Sequence, residues 1–77
     1  MLKEGKIPET FAKGVTRRIN AQLNTLEMPV KELAARANVS YSTALAWSNG
    51  DRLPGSWQLY KLAKALGTSA DYLIGLK

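Results

Sequence analysis

The residues of this chain that could do chemistry are restricted by type. Its 77 residues include no cysteine and no histidine, which excludes a disulfide, a thiolate zinc site, a cysteine nucleophile and an imidazole base. Two carboxylates could in principle share general acid–base work, and the pairs to weigh are Glu27 with Glu32 and Asp51 with Asp71. Nothing in the sequence places either pair in a pocket, and so short a chain has little room for one. A phosphate-cradling glycine loop is missing as well. No enzyme activity is expected, and no set of side chains calls for a metal or a cofactor.

What remains is charge and hydroxyl groups. Eleven lysines and arginines against six acidic residues leave a net charge of +5, so the chain should attract anions. The charge is unevenly placed: from Asn38 to Gly50 there is not one charged residue. That run instead holds Ser40, Tyr41, Ser42 and Thr43 in succession, followed by the apolar Leu45 and Ala46. Its chemistry is hydrogen bonding and methyl contact. The cations flank it, as Lys3, Lys6, Arg17, Arg18, Lys31, Arg36, Arg52 and Lys61 or Lys64.

The elements that must position these groups are helical. At 45% apolar residues a chain of this length supports one small domain that buries roughly 60% of its unfolded surface. Residues 1–8 mix charge, glycine and proline without a period and read as a loose arm, leaving 9–77 as the domain. From Glu9 to Leu26, Phe11, Val15, Ile19, Leu23 and Leu26 recur every three or four residues, which predicts a first helix. Gly14 is its weak spot. Pro29 suits the start of a second helix over Val30 to Ala37, with Leu33, Ala34 and Ala37 inward. Asn38 tolerates the left-handed turn that stops it. Ser40 caps a third helix, Tyr41 to Ser48. After a loop from Asn49 to Gly55, Ser56 is expected to cap a fourth, with an apolar stripe of Trp57, Leu59 or Tyr60, Leu62, Ala63 and Leu66, ended by Gly67. Trp57 and Tyr60 read as core or helix-packing residues rather than base-stacking platforms. Ser69 opens a last short turn or helix through Asp71, Tyr72, Leu73 and Ile74. The prediction is an all-α bundle of five short helices with no strand, repeat or second domain.

The run VKELAARANVSYSTALAWSN, Val30 to Asn49, has apolar Leu33 and Ala37, small Ala34, a turn at Asn38, the corner plug Val39, and apolar Ala44 and Trp47. These are what two helices crossing steeply through a tight turn require. The run resembles the helix-turn-helix (30–48) of the phage repressor and Cro family, also called lambda-repressor-like or XRE. The similarity continues through the loop SNGDRLP, the segment KLAKALG and the turn SADYL. Two positions depart from the family pattern: Asn38 replaces the usual turn glycine, and Val30 stands where many members carry a phosphate-gripping polar residue, so that contact is not carried over.

The resemblance implies a transcriptional regulator, of phage or prophage repressor type, that places its third helix in the major groove of double-stranded operator DNA. Carried over by position, Tyr41, Ser42 and Ala46 match base-reading positions, with Leu45 near them. Ser40 and Thr43 match backbone-contacting ones, and Asn49 and Arg52 match a phosphate-gripping region. Arg17 or Arg18 would serve the same end. Without the resemblance, a solvated polar face is the better reading of Tyr41, Ser42 and Ala46, and Leu45 stays open between groove contact, core and protein interface. An arginine-to-guanine contact is closed to an uncharged helix, so thymine methyl groups and hydroxyl contacts must carry direct readout. The family implies a homodimer on DNA and contacts with an antirepressor or RNA polymerase. The chain would be either a complete Cro-like protein or the DNA-binding part of a longer repressor. The competing reading is a protein-interaction module on the same fold. No apolar run reaches the roughly 20 residues of a membrane span, and a signal peptide is missing; the expected location is cytoplasmic, at the nucleoid of a bacterial or phage-infected cell.

Overall fold

In the computed structural model, which describes residues 7–76, five helices follow one another: α1 (Glu9–Leu26), α2 (Val30–Ala37), α3 (Tyr41–Asn49), α4 (Ser56–Leu66) and α5 (Ala70–Ile74). No strand occurs among the described residues. The first two helices have the predicted bounds, and the third takes in Asn49 as one further residue. Of the arm 1–8, only Ile7 and Pro8 lie within the described residues.

All five helices stop by the same backbone device. The residue after each one is left-handed: Glu27 (φ 53°), Asn38 (φ 57°), Gly50, Gly67 and Gly75. The following N–H then reaches back to a carbonyl five residues earlier, as in Met28 N to Leu23 O at 2.9 Å and Val39 N to Ala34 O at 3.0 Å. This satisfies carbonyls the helix leaves unpaired and turns the next side chain back toward the helix. Met28 thereby joins the core, a position that the helical period alone does not reveal. Val39 packs against the core at the corner between α2 and α3, as predicted.

The core is built from Val15, Ile19 and Leu23 of α1, Leu33, Ala34 and Ala37 of α2, Ala44 and Trp47 of α3, Leu62, Ala63 and Leu66 of α4, and Leu73 of α5. α2 packs on both α3 and α4, and α1 on α5 and α3. Five expected placements are corrected. Phe11 and Leu26 are 39% and 44% exposed, each at the rim of an open groove between α1 and its neighbours rather than beneath them. Trp57 and Tyr60 are 67% and 53% exposed; the buried stripe of α4 is Leu62, Ala63 and Leu66, with Leu59 half-buried beside it. Ser56 is the first helical residue and not the cap. That place falls to Gly55, whose N–H donates to Gln58 Oε1 at 3.1 Å.

Polar side chains of α1 bind the other helices at their C-terminal ends. Asn20 Nδ2 donates to Ser48 O of α3 at 2.9 Å, Gln22 Nε2 to Leu66 O of α4 at 3.0 Å, and Arg18 Nη1 to Leu73 O of α5 at 3.5 Å. Each acceptor belongs to a last turn, whose carbonyls have no partner within their own helix. The longest helix thus fixes three shorter ones from its polar side while its apolar side supplies core.

Candidate nucleic-acid interface

The chemistry of α3 divides along its length and around its axis. Ala44 and Trp47 are fully buried and clamp it to the bundle, although the indole N–H of Trp47 has no partner among the described residues. At its N-terminus Ser40 Oγ accepts from Thr43 N at 3.1 Å, the predicted cap, and donates to Thr43 Oγ1 at 2.9 Å. Ser42 Oγ lies 3.2 Å from Ser40 Oγ. The hydroxyls therefore stand as one cluster at the helix N-terminus, where free N–H groups and the helix dipole favour an anion. Ser40 is committed to the cap, whereas Ser42 and Tyr41 are exposed and Tyr41 makes no hydrogen bond among the described residues. Leu45 and Ala46 are half-buried, each presenting part of its surface beside them.

At the other end of α3 the surroundings become charged, with Lys13, Arg17 and Arg52 against Glu9 and Asp51. Asn49 and Gly50 meet the N-terminal half of α1 in an open cleft of about 370 Å³ whose other walls include Lys13, Thr16 and Arg17. Lys13 is held to Glu9 at 3.3 Å, an exposed pair worth little in water, while Arg17 has no ion-pair partner among the described residues. Arg52 follows in the exposed loop, likewise without one. Lys13 and Thr16 do not figure among the residues expected from sequence, yet their spacing with Arg17 and Asn20 on one helical face is the signal that would have found them.

The structure separates the two arginines that the sequence left as alternatives. Arg17 faces the C-terminal end of α3. Arg18 turns to α5, its guanidinium lying between Gly14 and Gly75: a Cβ at either glycine would stand 3.0 Å from it. There it contributes positive charge to a helix C-terminus. Arg36 is also occupied, paired with Glu32 at 2.7 Å. Lys3 and Lys6 lie outside the described residues.

The geometry comprises a short uncharged helix with exposed hydroxyls at its leading end, a second helix crossing behind it, and cations gathered at its trailing end. A family model described as Helix-turn-helix matches residues 19–73, which takes in α2, α3 and α4 and begins within α1. No curated protein and no solved structure matches. The family is one of DNA-binding regulatory domains and not of enzymes. With the match spanning most of the chain, this protein belongs to the Cro/XRE-type helix-turn-helix family of DNA-binding transcription regulators.

Proposed function

We propose that this protein is a repressor of phage or prophage type that occupies operator DNA with α3 in the major groove. The observation that carries this reading is one short helix with exposed, uncharged hydroxyls at its leading end and, at its trailing end, a cleft that holds Lys13 and Arg17 together with Glu9 and Asn49. Base edges ask for neutral donors, acceptors and methyl contacts, while the flanking phosphates ask for cations. Tyr41, Ser42, Leu45 and Ala46 read bases; Ser40, Thr43, Asn49, Arg52 and Arg17 hold the backbone. Arg18 serves the fold. Repression follows from steric occupation of a promoter, in the cytoplasm, at the nucleoid.

Two-fold sites call for a homodimer whose reading helices lie roughly 34 Å apart. An antirepressor or RNA polymerase completes the set of partners. The test is selection of bound duplexes from a random pool, followed by sequencing. A palindrome with half-sites one helical turn apart is expected. If no sequence is enriched, operator recognition is wrong and the interaction-module reading takes its place.

A further inference from the structure

On α4, Trp57 and Tyr60 lie outside both the buried core and the exposed surface of α3. Trp57 and Tyr60 stack on each other with ring centroids 5.5 Å apart and planes 13° from parallel, yet both are more than half exposed. Lys61 Nζ lies 5.8 Å from the Trp57 ring centroid and Lys64 Nζ 5.9 Å from that of Tyr60. The result is a ladder of two aromatic rings and two ammonium groups on one helix face. α4 contains no carboxylate, so these lysines have no acidic partner within their own helix. Lys61 donates to Asn38 O at 3.4 Å, which anchors one end of the ladder beside the helix-turn-helix turn. Past Lys64 the face runs into a shallow cleft of about 260 Å³ bordered by Leu26 and Arg36. The carboxylate there, Glu32, is already taken by Arg36.

We propose that this face of α4 docks an acidic protein segment carrying an apolar or aromatic anchor, the anchor covering Trp57 and Tyr60 while its carboxylates pair with Lys61 and Lys64. Charge complementarity commits the sign of the partner, and the exposed ring area commits its class. Trp and Tyr are the side chains that most often dominate protein interfaces. Mutual stacking holds these two in place, which lowers the entropy lost on binding. Duplex DNA would satisfy the lysines through phosphates, but its bases present their π faces to one another and would leave the indole uncovered. α4 packs chiefly on α2 rather than on α3, so this seat and the exposed face of α3 are on different helices.

The probe is a synthetic peptide of repeated Glu-Glu-Phe units, titrated into the whole chain, with a Gln-Gln-Phe peptide as control. Trp47 is fully buried and Trp57 exposed, so acrylamide quenching reports on Trp57 alone. The acidic peptide should protect Trp57 and shift the backbone amide resonances of Lys61 and Lys64 in the unmodified chain. Trp57→Ala should weaken peptide binding about tenfold or more and leave affinity for a random-duplex pool unchanged. Lys61→Gln combined with Lys64→Gln should weaken it and flatten its salt dependence. Absence of protection, or equal binding of the control peptide, overturns the proposal. So does a loss of duplex or oligo-dT affinity in Trp57→Ala, which assigns the face to nucleic acid, or a shift from dimer to monomer on sedimentation, which assigns it to a second copy.

Discussion

Asn20 and Ser48 exchange hydrogen bonds across the α1–α3 contact: Asn20 Nδ2 donates to Ser48 O at 2.9 Å, and Ser48 Oγ donates to Asn20 Oδ1 at 2.9 Å. The same Nδ2 also donates to Thr16 O at 3.1 Å. This neutral pair fixes the C-terminal end of α3, just as Ala44 and Trp47 fix its inner side. Asn20→Ala removes all three bonds and leaves part-buried groups unpaired, so a loss of about 1 to 3 kcal/mol is expected in chemical denaturation. Asn20→Asp should do no better, because a carboxylate accepts from Ser48 Oγ but cannot donate to two carbonyls. A change below about 0.5 kcal/mol, the range of an ordinary surface substitution, would show that the pair does not hold α3.

The helix stops give a controlled comparison of backbone strain. Glu27 and Asn38 occupy left-handed positions that glycine adopts without penalty. Glu27→Gly should therefore raise thermal stability, and Asn38→Gly by less, since asparagine tolerates this conformation better. The reverse change at Gly67, φ +66° with nothing within 4 Å of an added Cβ, should cost about 1 to 2 kcal/mol from the backbone alone. Equal stability of Gly67→Ala and the parent protein in urea would contradict this account.

Gly14 sits in a helix interior, where alanine is favoured by roughly 0.5 to 1 kcal/mol. The obstacle is Arg18 Nη1, 3.0 Å from the added Cβ, and it belongs to the far end of a long, flexible side chain. Gly14→Ala should stabilise, and more so in an Arg18→Ala background. A double-mutant cycle measures the difference; strict additivity would mean that Gly14 and Arg18 do not interact.

Arg17 and Arg18 should separate in a salt titration of DNA binding. Each phosphate contact contributes about 0.9 to the slope of log K against log salt. Arg17→Gln is expected to lower the slope by about that amount, whereas Arg18→Gln should leave it nearly unchanged and instead lower the melting temperature. Equal effects of the two on the slope would place both arginines on DNA.

Readout without charge makes a specific demand on the operator. Replacing thymine by uracil at directly read positions removes the methyl group that Leu45 and Ala46 can cover, and should weaken binding at one or more positions of the half-site. Ser42→Ala should relax base preference at a single position, by about 1 to 3 kcal/mol at most. Affinity indifferent to uracil at every position would rule out methyl contact.

The bounds of α1 and α2, the stops at Asn38 and Gly67, the cap at Ser40 and the opening of the last element at Ser69 were legible in the sequence. Each depends on neighbours within one or two turns: a 3.6-residue period, a side-chain oxygen three residues before an N–H, or a residue that tolerates positive φ. The uncharged character of α3 was legible for the same reason. Other features were settled only by tertiary packing. Arg17 and Arg18 differ by about 100° around a helix, and the position of α5 decides which one faces α3. Phe11, Leu26, Trp57 and Tyr60 fit apolar patterns but are left between 39% and 67% exposed by the way the helices pack. The bonds from Asn20, Gln22 and Arg18 join residues 28, 44 and 55 positions apart. Local sequence sets where each helix begins and ends, but which carbonyl meets which side chain depends on how the helices pack.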